Sequence, residues 1–342
     1  MPAAEVMIWI DKARISAALA IVVLHSAILV QSANMIGSEY WWLGNIYNSL
    51  VRWAIPVFVM ISGALLLDPG KKESLGLFYQ KRFTRIIIPL FAWSAIYLYL
   101  DYIYAATYGI QISKQQIFLN LLEGKPHFHL WFLYMIIGLY LFTPFFRLII
   151  RNSSQRKLQI LVLIMFLISA FSFIYTELLP GIPPLFISKF IPFLPYYFLG
   201  YLIRSTQYKS SKITLIAIFL CSGVITAIGF YFSAQIRHAS SGIYFHGYFS
   251  FAVIIMAACI LMWFKYYHIK VLNSPNIHQI ANLTLGVYLI HPIFLKLINL
   301  KGLGVSIMNP TFSIPLTAIA VFCLSLASSW LIKQIPVLKR II

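Results

Sequence analysis

Charged residues are scarce in this chain: they make up 10% of its 342 residues, whereas a typical soluble domain has about 25%. Hydrophobic residues make up 61% of the chain, and the mean hydropathy is +0.85. Such a chain has too few polar side chains to cover an ordinary water-soluble core. The composition therefore excludes a typical soluble protein and indicates one that lies in a membrane.

Cysteine is also scarce, since the chain has only Cys221, Cys259 and Cys323. All three fall inside apolar stretches, and their spacing does not match that of a metal site. Cysteines in such places are typical small buried apolar residues. We therefore expect no disulfide framework and no metal.

Acidic residues number eight against 26 Lys and Arg, which gives a net charge of +18. The basic residues are dispersed among short segments between apolar runs. This distribution argues against nucleic-acid binding and is typical of membrane topology and of contact with anionic membrane lipids.

Long apolar runs dominate the chain, and a run of about eighteen residues or more is typical of a transmembrane helix. They predict an all-α, polytopic integral membrane protein with about ten transmembrane helices. Pro192 and Pro195 interrupt the sixth span, which is therefore expected to be kinked or re-entrant. The predicted spans cover residues 12–32, 46–67, 83–105, 130–150, 158–177, 186–203, 213–234, 246–265, 280–300 and 312–333.

The positive charges predict the orientation of these spans. If both termini are cytoplasmic and the ten spans alternate, most Lys and Arg residues fall on the inner side, as the positive-inside rule requires. No soluble domain or long linker is visible, so residues 1–342 are expected to form a single transmembrane domain. The N-terminus has no short apolar core with a cleavage site, so the first span is expected to remain as a helix.

Arg14 and His25 lie in the first predicted span, with an almost wholly apolar stretch between them. Helical rise puts them about 16 Å apart, with Arg14 near the inner interface and His25 near the bilayer middle. Ionisable residues in a membrane helix are costly and indicate a functional site. Arg14 is expected either to grip an anion such as phosphate or to act as a snorkelling anchor paired with Asp11.

His291 lies in the ninth predicted span at a depth similar to that of His25. One membrane histidine often serves only to hydrogen-bond two helices. Two at one depth, where no carboxylate is expected, favour proton transfer, because histidine titrates near neutral pH. We therefore take His25 and His291 as catalytic candidates, and we expect His25 to share one passage with Arg14 at its inner mouth.

Arg82 and Arg85 begin the third predicted span at three-residue spacing, so they share one helix face. This pair either clamps a diphosphate or is an ordinary topology signal.

Four residues at the outer face are candidates for acceptor binding. Arg52 lies in the outer part of the second span, where positive-inside bias does not explain it, so it requires a partner or a wet cavity. Glu39 is a candidate partner. His129 and Trp131 open the fourth span at the same face, either as interfacial anchors or as the rim of an acceptor pocket.

Five segments in order along the chain then show a resemblance to a known family. They are Arg14 followed by ten residues and His25, RWAIPVFVMISG (52–63), KRFTRIIIP (81–89), HLWFL (129–133) and GVYLIHP (286–292). From about residue 8 to 335 the chain resembles the acyltransferase 3 family, and most of all its short, ten-helix members without an appended hydrolase-like domain. Many larger members have an acidic pair after HLWFL, whereas Tyr134 and Met135 follow it here.

The resemblance implies transfer of an acyl group, usually acetyl, from cytoplasmic acyl-CoA to hydroxyl groups of extracytoplasmic or lipid-linked carbohydrates. It places the chain in the plasma (inner) membrane of a bacterium. It also implies that His25 is catalytic and that Arg14, Arg82 and Arg85 bind the acetyl-CoA donor. His25 would act as a general base or as a transient acyl carrier.

A carbohydrate or lipid-linked sugar flippase or exporter is the alternative function. Proton-linked transporters also use membrane histidines, but they often contain internal repeats. The two halves of this chain show no convincing self-similarity, which favours the transferase.

Overall fold

The computed structural model of the chain describes residues 3–71, 73–111, 113–178, 189–207, 210–237, 243–267 and 276–342. Within these ranges every regular element is a helix, so the predicted all-α class is confirmed. The helices are Ala3–Ala33 (α1), Glu39–Leu50 (α2), Ala54–Leu66 (α3), Leu75–Tyr108 (α4), Lys114–Leu122 (α5), Trp131–Arg151 (α6), Gln155–Leu178 (α7), Leu194–Ser205 (α8), Lys212–Arg237 (α9), Ile243–His246 (α10), Phe251–Tyr266 (α11), Ile277–Ala281 (α12), Thr284–Leu300 (α13) and Pro310–Gln334 (α14).

Eight helical segments in the described ranges are long and apolar enough to cross a membrane, which confirms a polytopic membrane protein. One of them joins α2 and α3 across a turn at residues 51–53. α13 is a shorter apolar helix of 17 residues. Each of the ten predicted spans overlaps a helix, but the count of ten and the cytoplasmic placement of both termini stay predictions.

The sixth predicted span departs most from a plain transmembrane helix. Its first residues, 186–188, lie outside the described residues. The described part begins with a 3-10 turn at Ile191–Phe193 that contains Pro192, and the 12-residue α8 follows. Because proline lacks a backbone N–H and fixes φ, it fits well in such a first turn, where no helical hydrogen bond is lost.

Local signals in the sequence explain several helix ends. Ser74 caps α4 because its side chain accepts a hydrogen bond from the Leu77 N–H, and Ser250 caps α11 through Val253 in the same way. α4 ends at Gly109, whose φ of 67° is the left-handed conformation that favours glycine. Gly109 thus fixes the outer end of α4, and residues near that end line a cavity described below.

The densest packing lies where α3 crosses α8. A Cβ on Gly63 would lie 1.8 Å from the Tyr197 carbonyl oxygen, and one on Gly200 would lie 1.9 Å from the Met60 carbonyl oxygen. Only glycine allows two membrane helices to approach this closely. α1 packs in turn against α2, α3, α13 and α14, whereas α4 and α13 are not packed closely against each other.

Candidate active site

Helix α1 carries Arg14 and His25 on one rigid axis, as the sequence predicts. Their Cα atoms are therefore separated by a rise of about 16 Å. Arg14 lines a cavity on the inner side, which we call the inner pocket, and His25 lines a second one on the outer side, which we call the outer cavity. The two candidate residues thus belong to two different cavities.

The inner pocket has a volume of about 340 Å³ and brings four basic side chains together. Arg14 comes from α1, Arg82 and Arg85 come from one face of α4, and Lys71 comes from the loop between α3 and α4. No acidic residue is among the described residues that line it. The predicted grouping of the three arginines is confirmed, and the pocket is strongly electropositive.

The nearby carboxylates pair with little of the positive charge of the inner pocket. Asp11, the expected partner of Arg14, instead accepts a hydrogen bond at 2.8 Å from His278 Nδ1. Arg14 forms no salt bridge with an acidic residue anywhere in the described ranges, so the expectation of an Asp11 pair is wrong. Glu73 lies 3.9 Å from Arg82 Nη2 but is closer, at 3.1 Å, to Lys81.

The pKa of Lys71 reflects the same excess of positive charge. Burial lowers the pKa of its ammonium group, and the neighbouring charges of Arg82 and Arg147 lower it further. The ammonium donates a hydrogen bond of 2.6 Å to the Leu65 carbonyl, which holds it at the pocket. A bound polyanion would relieve this mutual repulsion, because its charge would lie among three or four cations.

The outer side contains a cluster of four histidines, which we define as His25, His127, His129 and His291. The rings of His25 and His291 are stacked with centroids 5.2 Å apart, which confirms that they lie at similar depth. The His129 ring lies 5.6 Å from His291. His127 and His129 share a hydrogen bond of 2.9 Å between their Nδ1 atoms. α1, α13 and the segment before α6 therefore meet at one point.

Hydrogen bonds indicate the tautomer of His291. Its Nδ1 lies 2.7 Å from the Tyr288 carbonyl oxygen, an acceptor only, so Nδ1 carries the hydrogen. Its Nε2 then carries a lone pair, and that buried atom has no partner among the described residues. A buried nitrogen with a free lone pair beside His25 can receive a proton.

The loop histidines are uncharged at neutral pH. Burial lowers the pKa of His127 to about 4, and the Lys296 ammonium lowers it as well. Burial also lowers the pKa of His129 well below its usual range, with smaller effects from His291 and His127. Both loop histidines of the cluster are therefore held in the neutral form, in which an imidazole nitrogen can accept a proton.

A layer of side chains separates the inner pocket from the histidine cluster. Phe132 and Tyr288 line the inner pocket, with ring centroids 5.5 Å apart, and the Tyr288 hydroxyl donates a hydrogen bond to the His129 carbonyl. We call Phe132 and Tyr288 the partition. Tyr288 therefore lies between the inner pocket and His129, and the two cavities share no described lining residue. The expected single passage from Arg14 to His25 stays a prediction.

The outer cavity has a volume of about 850 Å³ and lies between α4, α13 and the outer part of α1. His25 and His127 belong to its lining, together with Asp101 of α4 and Lys296 of α13. A carboxylate thus shares a cavity with His25. The rest of the lining is mostly apolar or aromatic.

Arg52 is held by a polar network between α2 and α10. Its Nη2 donates a hydrogen bond of 3.1 Å to His246 Nδ1, so His246 carries its hydrogen on Nε2. His246 Nε2 lies 3.1 Å from Asn45 Oδ1 and 3.0 Å from Ser49 Oγ. Phe230 stacks on the His246 ring with centroids 3.7 Å apart.

The network corrects the expected partner of Arg52. Glu39 is the first residue of α2 and lies far along that helix from Arg52, which follows the end of α2. No salt bridge to Arg52 occurs within the described ranges, and its buried Nε has no partner there. The partner of Arg52 is thus His246, and Glu39 is not its partner.

The four acceptor candidates are therefore dispersed. His129 is in the histidine cluster. Trp131 begins α6 and packs against Phe193 and Tyr248, with ring centroids 5.8 and 5.9 Å away. It does not line the inner pocket or the outer cavity.

Sequence reasoning missed four residues of the site: Lys71, Asp101, His127 and His246. Asp101 carried a signal, because it is an acidic residue inside a predicted span. His127 carried one too, since it stands two residues before His129. Nothing in the sequence distinguishes His246 and Lys71 from ordinary interfacial residues. In the described ranges, no three His, Cys, Asp or Glu side chains are arranged to hold a metal ion.

Comparison with known proteins gives one match. A family model described as an acyltransferase domain matches residues 7–334, nearly the whole chain. No curated protein and no solved structure matches significantly.

Proposed function

The chain belongs to the acyltransferase 3 family, and on this premise we propose that it transfers an acetyl group from cytoplasmic acetyl-CoA to a carbohydrate hydroxyl outside the cytoplasm. Family membership makes it a membrane acyltransferase. The donor, the acceptor and the residue roles are our proposal. The observation that carries the proposal is the basic inner pocket, which ends at a cluster of neutral histidines behind two aromatic residues.

The inner pocket suits the donor because coenzyme A carries a diphosphate and a further phosphate on one end. Arg14, Arg82 and Arg85 supply the bidentate guanidinium groups that bind phosphate well, and Lys71 adds a fourth positive charge. The extended pantetheine arm then has to span a distance comparable to the rise of about 16 Å between Arg14 and His25. The thioester carbonyl reaches the partition of Phe132 and Tyr288, which must open for it to meet His25.

The chemical step takes place at His25. As a general base, the imidazole takes the proton of an acceptor hydroxyl while the hydroxyl oxygen attacks the thioester carbonyl carbon. The carbon–sulfur bond breaks, and the coenzyme A thiolate leaves and takes up a proton. In the second route His25 attacks the thioester itself, carries the acetyl group as an acyl-imidazole and passes it to the hydroxyl. His291 Nε2 can receive and return the proton in either route.

Arg52 acts on the acceptor side. A buried guanidinium with an unpaired Nε, electrostatically coupled to His25, can stabilise negative charge on the carbonyl oxygen or bind an anionic acceptor. The resemblance to short family members, the enterobacterial common antigen O-acetyltransferase among them, favours acetyl as the acyl group and a cell-surface glycan as the acceptor. The location is then the plasma (inner) membrane of a bacterium, crossed about ten times with both termini inside.

Release of coenzyme A tests the proposal. Purified protein in detergent receives radiolabelled acetyl-CoA and a glycan extract from bacterial membranes, and both free thiol and labelled glycan are measured. We expect both products, and neither when the extract is omitted. A sugar flippase would instead move lipid-linked glycan across vesicles without consuming acetyl-CoA. That outcome, or label on no carbohydrate, would reject the proposed reaction.

A further inference from the structure

Helix α13 has a proline in its interior, directly after a histidine of the cluster. Pro292 lies in the middle of α13 and lines the outer cavity. Because proline has no backbone N–H, residue 292 cannot donate the usual helical hydrogen bond to the carbonyl four residues earlier, which is that of Tyr288. The Tyr288 carbonyl therefore lacks its ordinary backbone donor in a buried part of the helix.

The side chain of His291 donates to this carbonyl in place of the missing backbone N–H. Its Nδ1 lies 2.7 Å from the Tyr288 carbonyl oxygen and 3.2 Å from that of Val287, and both oxygens are acceptors only. His291 itself is completely buried. A buried carbonyl without a donor costs free energy. Pro292 thus leaves the Tyr288 carbonyl free, and the neighbouring histidine satisfies it.

This hydrogen bond determines which nitrogen of His291 can accept a proton. A neutral imidazole carries one hydrogen, and the Tyr288 carbonyl holds that hydrogen on Nδ1. With the hydrogen on Nε2 instead, the Nδ1 lone pair and the carbonyl oxygen would face each other as two acceptors. Nε2 is buried and has no hydrogen-bond partner in the described ranges. His291 can therefore accept a proton at Nε2 alone, next to the His25 ring, whose centroid is 5.2 Å away.

Residues of the site also hold the neighbouring part of α13. Tyr97 of α4 donates a hydrogen bond of 2.6 Å to the Leu289 carbonyl, and its ring stacks on His127 with centroids 4.1 Å apart. The Tyr288 hydroxyl donates to the His129 carbonyl. These bonds fix the turn of α13 before Pro292, so the His291 ring stays at the Tyr288 carbonyl.

A second proline offers a comparison within the same chain. Pro315 lies inside α14, four residues after Thr311, and the Thr311 carbonyl accepts a hydrogen bond of 2.8 Å from the Tyr47 hydroxyl. Pro315 lines neither the inner pocket nor the outer cavity. There the carbonyl that a proline leaves free joins α14 to α2. In α13 the corresponding carbonyl instead binds a histidine of the cluster, on the same helix.

We propose that Pro292 is a positioning residue for acyl transfer: it leaves the Tyr288 carbonyl free to hold His291 in the Nδ1–H tautomer, with Nε2 as proton acceptor. This inference rests on the proposed function and deepens it, because it gives the proton path a direction. The acceptor O–H bond breaks as its oxygen bonds to the acyl carbon, and the proton passes through His25 to His291 Nε2. The carbon–sulfur bond then breaks, and the thiolate takes the proton back along the same path.

Nuclear magnetic resonance tests the tautomer without acetyl transfer. The histidine nitrogens are isotope-labelled in the full chain in detergent, and the His291 signals are identified by their loss in His291→Gln. The wild type should show a protonated Nδ1 and an unprotonated Nε2. Pro292→Ala restores a backbone N–H that competes for the Tyr288 carbonyl. Both His291 nitrogens should then be partly protonated, because the two tautomers become mixed.

Kinetics with matched variants test the consequence for the reaction. Pro292→Ala should lower kcat severalfold and at most about tenfold, the factor that one hydrogen bond accounts for. The KM for acetyl-CoA should stay unchanged, because Pro292 does not line the inner pocket. Lactic acid at position 292, introduced by nonsense suppression, has the methyl group of alanine but an ester oxygen in place of the N–H, so it should restore the tautomer and kcat. Pro315→Ala is the control and should change neither.

Three results would overturn the inference. They are an unchanged His291 tautomer in Pro292→Ala, a changed tautomer with wild-type kcat, and an equal loss of kcat with alanine and lactic acid at position 292. The last result would mean that the proline ring has a structural role only. If the wild type transferred acetyl to no carbohydrate, the proposed function would be rejected instead, and the nitrogen spectra would still decide whether Pro292 sets the tautomer.

Discussion

The inner pocket and the outer cavity differ in almost every physical property, although both adjoin the histidine cluster: the Tyr288 ring of the inner pocket lies 5.3 Å from the His129 ring, and His25 lines the outer cavity. The inner pocket is small and basic, with four cations and no acidic residue among its described lining. The outer cavity is more than twice as large and mostly apolar, with one cation and one carboxylate. The first therefore favours an anionic ligand, whereas the second offers mainly apolar surface.

The difference teaches how a membrane enzyme can bring two unlike substrates together. In the proposed reaction a water-soluble polyanion binds from one side, where the cations of the inner pocket offset its charge. The acceptor reaches His25 from the outer cavity. In that reaction Phe132 and Tyr288 shield the thioester from the outer side until they move.

The largest effect should come from removing the imidazole of His25, the proposed catalytic group in the outer cavity. His25→Ala should lower acetyl transfer by about a hundredfold to ten-thousandfold, the usual contribution of a general base. Acetyl-CoA binding should be unchanged, because His25 lines the outer cavity and not the inner pocket. Calorimetry with acetyl-CoA and a transfer assay on the same sample measure both quantities. Near-normal transfer by a folded His25→Ala protein would contradict the assignment of His25.

A smaller effect, confined to the donor, should follow from removing a cation of the inner pocket. Arg14→Ala should raise the KM for acetyl-CoA about tenfold, because a charged hydrogen bond to phosphate is lost, and should leave the KM for the acceptor unchanged. Arg156→Gln is the matched control, since Arg156 is an exposed arginine near the start of α7 and does not line the pocket. Equal donor affinity in Arg14→Ala and wild type would make Arg14 a topological anchor.

The Arg52 network allows a test on the outer side alone. His246→Phe would leave Arg52, Asn45 and Ser49 without their shared partner, and a buried polar group left unpaired costs about 1–3 kcal/mol of stability. Thermal unfolding measures that loss. The positioning of Arg52 is tested separately by kinetics: the acceptor KM or kcat should change severalfold, while the acetyl-CoA KM stays constant.

His246→Gln provides the conservative comparison for this prediction. A glutamine amide can still accept from Arg52, so it should restore part of the acceptor kinetics. If Phe and Gln variants lose stability but share wild-type kinetics, His246 has a structural role only.

The two regions also differ in how far the sequence could predict them. The family resemblance implies that Arg14, Arg82 and Arg85 bind one donor, and the charge pattern places all three at the inner ends of two spans. His25 and His291 were predicted at one depth because both lie about halfway along spans of the same direction. The depth of a residue within a span and the charge of the segment beside it both follow from position along the chain, so the sequence alone predicts them.

The remaining features depend on which helix faces meet, and no spacing within one helix determines that. The contact of Arg52 with His246 joins residues nearly two hundred positions apart. The partition depends on the packing of Phe132 against Tyr288, from α6 and α13. The pairing of Asp11 with His278, instead of Arg14, depends on where the short α12 lies beside α1. The sequence thus predicts how deep in the membrane the site residues lie, but it does not predict which side chains contact each other.

The smallest effect concerns the pH dependence of the outer region. Burial and the Lys296 ammonium lower the pKa of His127 to about 4, against an ordinary value of about 6.5. The folded protein therefore holds His127 in its neutral form. As the pH falls, the histidine of the unfolded chain takes up a proton first, so the free energy of unfolding decreases. The midpoint of thermal unfolding should be insensitive to His127 above about pH 6.5 and should fall progressively between that value and about pH 4. His127→Gln should decline less steeply over that window when the two profiles are compared in the same detergent. Identical profiles would show that His127 is not held neutral by the fold, and the contrast between a basic inner pocket and an uncharged outer cluster would lose that support.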